Sequence, residues 1–450
     1  MPTSSAWPRR GSPLRPETFN LVLRRGGPHF LPFNFAEVAR RLLLDLAWGH
    51  GEKEWNQRST NPYQCTSAML AALESDQIEV WSPPAGSWVG DGEPILTVTA
   101  PSFKASWLEP LAIMFRFPIQ VATAIQNGVT EFKCSHPTEE VIVRLVLEAL
   151  KVNGTYQVST KHAAYLHAAG TNIQAIEKAL GGEIHRAFEV GMRAASCLDL
   201  HQDVLLRARA LGLTKTSNMI GAMRSGMTPV GTTGHEHQQR WMNDEAGFRA
   251  MRDMRPEPPS YLFDTYNAME RGIPAAIKVM REDPTRKCSV RFDSGDQDEQ
   301  LKLFLEAERV HGIRPNYIFE DSYTAQKTLL NEAFCDSYGM PQASRFYGYG
   351  GFIVNPEWAV QFRRDDVSAV YKLSQTGTVP VMKTCGEKSS LPGKPCILVS
   401  PEGHHIIAQQ GENIPGCVPL DATSPKPVHK APRSFETAVR INLCRDRSER

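Results

Sequence analysis

Residues 289–296 read Ser289-Val290-Arg291-Phe292-Asp293-Ser294-Gly295-Asp296. The β-rich run at 289–292 predicts a strand, and strand geometry puts Arg291 and Asp293 on one face. Ser294 and Gly295 then allow a sharp turn that presents Asp296. A helix-patterned stretch follows at 298–310, with Leu301, Phe304 and Leu305 on one side. The chain returns as a strand at 316–319 and stops on Glu320 and Asp321. Strands and helices in alternation predict a parallel sheet. Polar residues bunched where the strands stop predict a barrel with its site at their C-terminal rim.

The same alternation extends outward. Strand-like runs at 228–233, 260–263 and 345–348 are separated by helical stretches that include 275–280 and 325–334. Towards the N-terminus the pattern becomes β. Residues 18–23 alternate polar and apolar, as a half-buried strand does, and 35–46 has helical spacing. Short strands at 78–81 and 95–98 flank a Pro- and Gly-rich turn region, as in a small β-sandwich. Beyond Asn355, runs at 369–373, 379–383, 397–399 and 405–407 are again β and are expected to fold back on the N-terminal part. The expected fold class is α/β, an irregular α/β barrel packed with a discontinuous β-sandwich (α+β) domain. Its expected divisions are a tail at 1–16, sandwich at 17–125, barrel at 126–355, return to the sandwich at 356–422 and a basic, Pro-dotted tail at 423–450.

The chain has 450 residues, enough for two or three domains, with 41% apolar and 22% charged residues as in ordinary globular proteins. Fifty Lys and Arg face 49 acids, so no global field selects a nucleic acid or other polyanion. The nine cysteines are scattered without a paired spacing; reduced thiols in a cytoplasmic protein are expected. The richest apolar stretch, 107–125, contains Glu109, Arg116 and two prolines, so no membrane span is expected.

Three further segments carry chemistry. Residues 229–237 read PVGTTGHEH, where Gly231 and Gly234 let backbone N–H groups approach a ligand and Thr232 adds a hydroxyl. His235, projecting at a strand end, can be a general base, a metal ligand, a nucleophile for a phosphoryl group, or a histidine merely held by hydrogen bonds. Arg291 suits a planar carboxylate, and Asp293 a ribose hydroxyl or a developing positive charge; an Arg–Asp pair closing the strand is the plainer alternative. Gly348, Gly350 and Gly351 can form an anion-binding nest or simply a turn. Glu320 and Asp321 are oxygen donors for Mg²⁺ or ribose hydroxyls, or a solvated turn.

In this order the motifs resemble the nicotinate phosphoribosyltransferase family and its nicotinamide relatives. They are Gly191 to Arg193, Thr216 to Asn218, Gly231 to His235, Asp264 to Tyr266, Arg291 to Asp296, Gly348 to Gly351, Tyr371 to Leu373, and Lys383 through Lys388 to Gly393. The resemblance runs over residues 17–420 and implies a β-sandwich with an irregular barrel, working as a homodimer with shared active sites. It implies displacement of pyrophosphate from phosphoribosyl pyrophosphate by a pyridine base, coupled to ATP through phosphorylation of His235, with Mg²⁺. It also implies roles. Arg291 holds the nicotinate carboxylate and Thr232 lines that pocket; Asp293 and Asp321 hold ribose and Mg²⁺-pyrophosphate; Gly350 and Gly351 cradle the 5′-phosphate. Arg193, Ser217 and Asp296 complete the substrate-binding set, with His235 and Asp293 catalytic.

Amide-using relatives carry an Asp where this chain has Ser217, so an uncharged residue there favours nicotinate. The chain departs from the family at Val190, in place of a stacking aromatic, at Lys215, in place of a glycine, and at Gly351, in place of a threonine. A stacking Tyr of the family's N-terminal segment finds no match before Glu17. Two other functions compete: a family member that binds ligand or oligomerises without turnover, and a metal-dependent hydrolase using His235 and His237.

Overall fold

Thr18 to Leu23 lie in an eight-residue strand, Pro16–Leu23, at the centre of a five-stranded antiparallel sheet. The computed structural model containing it describes residues 12–46, 49–57, 65–231, 233–254, 257–384 and 390–434. On one side of Pro16–Leu23 lies Pro94–Pro101 and on the other Ala369–Thr376, so the N-terminal and C-terminal β regions share one sheet. A three-stranded sheet of Pro395–Val399, His405–Gln409 and Val418–Pro419 lies against it, tied by the Thr97 hydroxyl donating to the Pro395 carbonyl at 2.9 Å.

The alternation at 18–23 predicts one solvated face; both faces are buried. Its polar side is covered and satisfied instead. Asn20 donates to the Leu391 carbonyl at 3.1 Å, and the Thr18 and Thr99 hydroxyls meet at 2.8 Å. Polar spacing marked a hydrogen-bonded layer here, as burial of polar groups requires.

The middle of the chain forms the parallel sheet. Seven strands run in the order Thr228–Pro229, Lys215–Thr216, Ala187–Glu189, Arg345–Tyr349, Asn316–Phe319, Ser289–Phe292, Ser260–Leu262. The sheet curls into an incomplete barrel, open between the first and last of these. Helices on its outside include Leu198–Ala210, Ile273–Glu282, Gln297–His311 and Ala325–Ser337. Between sheet and helices lies an aromatic ladder: Phe292 stacks on Phe319 at 5.0 Å and Phe319 on Tyr347 at 5.4 Å. The opposite residues of the same strands point inward. Two expected strands are shorter than their sequence pattern: 228–233 contributes only Thr228–Pro229, and 379–383 only Val379–Pro380. Both chains leave their sheets to reach the site.

Residues 131–160 do not join the barrel sheet. Glu131–Cys134 and Gln157–Thr160 form a separate parallel pair with its own core around Phe132, Val143 and Val146. The helical run Ser102–Gln126 is long and apolar enough to cross a membrane by length and composition alone, but 67% of its apolar window is buried in the protein, as in a core helix. Its Arg116 is buried and donates to the carbonyls of Phe362 (3.0 Å) and Ala194 (3.1 Å). The seven described cysteines are unpaired.

Sandwich and barrel are tied by a buried pair. The Arg240 guanidinium donates to both Glu17 oxygens, Nε at 3.0 Å to Oε1 and Nη2 at 2.9 Å to Oε2. Thr376 donates to the same carboxylate at 3.0 Å. Arg240 closes the helix His235–Trp241, so this pair anchors the segment that carries His235. Replacing Arg240 by Met strands the Glu17 charge, and we expect a loss of about 3–5 kcal/mol in urea unfolding. An unchanged midpoint would show that the pair does not hold the two parts together.

Candidate active site

The inward residues of the parallel strands surround a cavity of about 540 Å³. The strand register sets which they are. Arg291 lies level with Ile318, and Ile318 with Phe346, so all three share the inner face. Two residues along, Glu320 joins the same face, and Val190 and Ser217 follow the neighbouring strands. Arg193, Gly231 and Glu109 complete the rim.

His235 starts its helix just beyond the strand Thr228–Pro229 and is buried. Its Nε2 lies 2.9 Å from the Lys383 ammonium, 3.4 Å from Asp293 and 3.8 Å from Asp264. Lys383 also donates to Asp264 Oδ2 at 2.9 Å. An ammonium has no lone pair, so Nε2 is the acceptor in the Lys383 contact. The ring proton then sits on Nδ1, which donates to Thr265 Oγ1 at 3.0 Å. Burial, opposed by Asp264 and Asp293 and aided by Lys383 and Lys372, lowers the imidazole's pKa. His235 is therefore a neutral imidazole whose Nε2 lone pair accepts from the Lys383 ammonium.

Arg291 bridges the site. Its Nη1 donates to the Thr233 carbonyl at 3.1 Å, and its Nη2 lies 3.0 Å from Glu320 and 3.3 Å from Asp293. Burial opposes ionisation of Asp293, yet the Arg291 guanidinium holds its carboxylate well below the usual range. Asp293 thus touches both Arg291 and His235, and the three residues sit in one cluster. Ser217 and Arg193 lie on the same cavity. Gly350 and Gly351 follow the strand Arg345–Tyr349, and a Cβ at Gly351 would meet nothing within 4 Å. Asp321 has a left-handed backbone (φ +78°), and its carbonyl accepts from Lys327 at 2.8 Å. Asp296 stands apart from the cluster: it caps Gln297–His311, accepting from the N–H groups of Asp298 and Glu299 at 3.1 Å each. Thr232 lies outside the described residues.

Several members of the site carry no signal in isolation. Lys383 and Asp264 fall in the sequence motifs without an evident role. Glu189, at a strand end, is buried and accepts from Thr216 (2.6 Å) and His201 (3.0 Å), and His201 in turn accepts from Asn218 at 3.1 Å. This network holds the loops bearing Arg193 and Ser217. Cations also crowd the rim. Burial lowers Arg364 to about 10, with Arg193 the next cause, and burial and Arg193 lower Arg24 as well. Lys372 is lowered by burial, partly offset by Glu109, with Arg193 and Lys383 adding to it.

No family model matches the chain. A nicotinate phosphoribosyltransferase of Bacillus subtilis is 23% identical over 252 residues, 54% of this chain and 49% of that protein. One from Methanosarcina mazei is 26% identical over 245 residues, 51% of this chain and 57% of that protein. The solved nicotinate phosphoribosyltransferase from Porphyromonas gingivalis matches with a TM-score of 0.60 at 17% identity, over 86% of this chain and 93% of the other. That from Vibrio cholerae gives 0.57 at 17% identity, over 85% and 86%. The chain resembles the nicotinate phosphoribosyltransferases. It spans about half the length of the curated relatives it matches and shares the fold of the solved ones.

Against this resemblance, the two-histidine metal site of a hydrolase is not assembled. The His237 ring is turned away, its Nε2 2.8 Å from the Gly247 carbonyl. His235, Asp264 and Asp293 are close enough to share a cation, but Lys383 already lies among them. A second group, His136, His162 and Asp203, has comparable spacing. There His136 Nδ1 accepts from the Thr138 N–H at 3.0 Å, so its Nε2 carries the proton and offers no lone pair to a metal. By imidazole NMR, His235 should stay neutral down to about pH 6.5 and protonate only below it. Lys383→Met should raise its pKa, because a repelling cation is lost and Asp264 remains. Protonation of wild-type His235 above that pH would contradict the assigned tautomer and charge.

Proposed function

We infer that the chain is a phosphoribosyltransferase of pyridine nucleotide biosynthesis, joining a base of the nicotinate class to phosphoribosyl pyrophosphate. The single observation that carries this reading is the continuity of the site. Arg291 lines the cavity and contacts Asp293 at 3.3 Å, Asp293 lies 3.4 Å from His235, and His235 lies 2.9 Å from Lys383, in a fold shared with nicotinate phosphoribosyltransferases. The base nitrogen attacks C1 of the sugar, the C1–O bond breaks, and pyrophosphate leaves with the bonding electrons. Such a loose, cationic sugar centre needs positioning and fixed charge more than covalent help. Asp293 supplies the negative charge facing it. The rim cations Arg24, Arg193, Arg364 and Lys372 suit the phosphates, and Gly350 and Gly351 leave room for the 5′-phosphate. Asp293 and Asp321 offer the hard oxygens that Mg²⁺ takes when it arrives with pyrophosphate. Two copies sharing their sites form the working unit, as the resemblance implies.

ATP coupling runs through His235. Its Nε2 lone pair attacks the γ-phosphorus, the bond to ADP breaks, and the phosphohistidine is later hydrolysed to phosphate. Lys383 lies where the transferred group's charge develops. Ser217 leaves the base pocket without an acid at that point, which favours nicotinate.

With either pyridine base and phosphoribosyl pyrophosphate, the protein should form the corresponding mononucleotide, read by mass. With ATP and Mg²⁺ it should gain an acid-labile, base-stable phosphate. His235→Ala should abolish that label while leaving some uncoupled transfer, and His237→Ala should keep it. Because burial lowers the His235 pKa, labelling should persist to about pH 6.5 and fall only as pH drops further, when protonation removes the nucleophilic lone pair. Label that survives His235→Ala and vanishes in His237→Ala would assign the wrong histidine. Base consumption with no label in the wild type would remove the ATP step from the reaction.

A further inference from the structure

Two loops bring Arg193 and Ser217 to the base cavity, and the sheet does little to hold them. The strands they leave, Ala187–Glu189 and Lys215–Thr216, pair at a single register position, Glu189 with Thr216. One more backbone bond follows, from the Ser217 N–H to the Glu189 carbonyl at 2.8 Å, and beyond it side chains hold the loops together. Glu189 is fully buried. Its Oε1 accepts from the Gly191 N–H and lies 3.0 Å from His201 Nε2, and its Oε2 accepts from the Thr216 hydroxyl at 2.6 Å. A glycine makes room on each side: a Cβ at Gly191 would come within 2.8 Å of Glu189 Oε1, and one at Gly221 within 2.8 Å of Asn218 Nδ2.

His201 links the two loops from behind. It comes from the helix Leu198–Ala210, its side chain is 1% exposed, and it does not line the cavity. Asn218 Oδ1 accepts from the Gly221 N–H at 2.9 Å, which turns the Asn218 amide nitrogen towards His201 Nδ1 at 3.1 Å. Nδ1 therefore accepts, and the ring proton sits on Nε2 and is donated to Glu189. One neutral imidazole thus donates to the acid beside the Arg193 loop and accepts from the residue next to Ser217. Packing alone would be served as well by an apolar residue at 201, without the cost of burying polar groups. We propose that His201 is a positioning residue for base binding: without touching the ligand, it sets Arg193 and Ser217 against a pyridine carboxylate through Glu189 and Asn218. This rests on the reading of the cavity as the base site and deepens it. Contacting groups work only within about 0.5 Å of their proper place, and a misplacement of about 1 Å costs up to about a hundredfold.

The test is titration calorimetry of the full chain with nicotinate and, separately, with pyrophosphate, with thermal melts to establish that each variant is folded. His201→Leu removes both hydrogen bonds; it should weaken nicotinate binding about tenfold or more and change pyrophosphate binding less than about twofold. His201→Gln offers an N–H donor and a carbonyl acceptor on one planar group, and should bring nicotinate affinity back to within about threefold of wild type. Asn218→Ser keeps a helix cap and removes only the amide from which His201 accepts, so it probes the same link should the leucine variant not fold; it should weaken nicotinate binding about threefold or more. A purely structural role predicts a lower melting temperature with nicotinate affinity unchanged in the folded variants, and that result overturns the proposal. So does equal weakening of both ligands, or a glutamine variant no better than the leucine one. If the wild type binds pyrophosphate but not nicotinate, the reading of the cavity fails and the proposal with it. If the wild type binds nicotinate and the folded variants bind it equally well, the proposal alone fails.

Discussion

The Lys383 ammonium, buried between Asp264 and His235, is the contact on which the site depends. Lys383 belongs to the segment that returns to the β-sandwich, whereas both partners belong to the barrel. A buried cation is costly to desolvate, and a charge with one partner removed costs more than the pair contributes. Lys383 is therefore tolerated only where the barrel brings a carboxylate to it. Conversely, Asp264 is fully buried and needs a cation from elsewhere in the chain. The backbone N–H of Lys383 donates to Ser390 Oγ at 3.0 Å, and Asn20 of the central sandwich strand donates to Leu391. Sandwich geometry thus sets where the ammonium lies. With Arg240 paired to Glu17, two buried ion pairs connect the parts on either side of His235, and the site exists only when the ends of the chain have met.

The sequence shows the local half of this arrangement. Strand-ending runs place Arg291, Asp293 and His235 at the rim because strand alternation and the turn residues after each strand are short-range properties. The long-range half is not legible in the same way. Lys383 is 148 residues from His235 and 119 from Asp264, and no spacing rule relates them. The polar face of 18–23 looked solvated because alternation reports polarity, not what covers it. Glu320 is a middle case. Read with Asp321, it is one of two carboxylates at a strand end. The register that sets Arg291 beside Ile318 carries Glu320, two residues on, to the same inward face of the adjacent strand. That diagonal is within reach of a long side chain, so the pair follows once both strand ends are placed. Asp296 shows the reverse: a motif acid at a rim turn also has the spacing of a helix cap, and capping is what it does in the structure.

Charge is distributed unevenly over the site. The cluster around Arg291 and Lys383 gathers acids, Glu320, Asp293 and Asp264, while Arg193 and Lys215 add positive charge to the cavity lining. The rim gathers Arg24, Arg193, Arg364 and Lys372, cations close enough to discourage one another's ionisation. A ligand that is neutral or cationic at one end and heavily anionic at the other matches this gradient. A pyridine base meeting a phosphorylated sugar has that polarity. Neither half of the field alone would select it.

Asp293 is where the two chemistries of the proposed reaction meet. Its carboxylate is 3.3 Å from Arg291 and 3.4 Å from His235, so it feels the charge of both the guanidinium and the imidazole. A phosphoryl group on His235 would add negative charge beside Asp293 and Asp264, with Lys383 as the near counter-charge. In a buried site that crowding raises the energy of the phosphohistidine relative to one in water. A sugar cation developing at C1 would relieve it by facing Asp293. The phosphorylated state is then least stable with the sugar site empty and most stable as the transfer proceeds. This differential between ground and transition states is what ATP-derived strain must supply if it is to assist the chemistry. Asp293 can act in this way only because Arg291 keeps it ionised throughout, which makes the guanidinium as necessary to the sugar step as to recognition of the base.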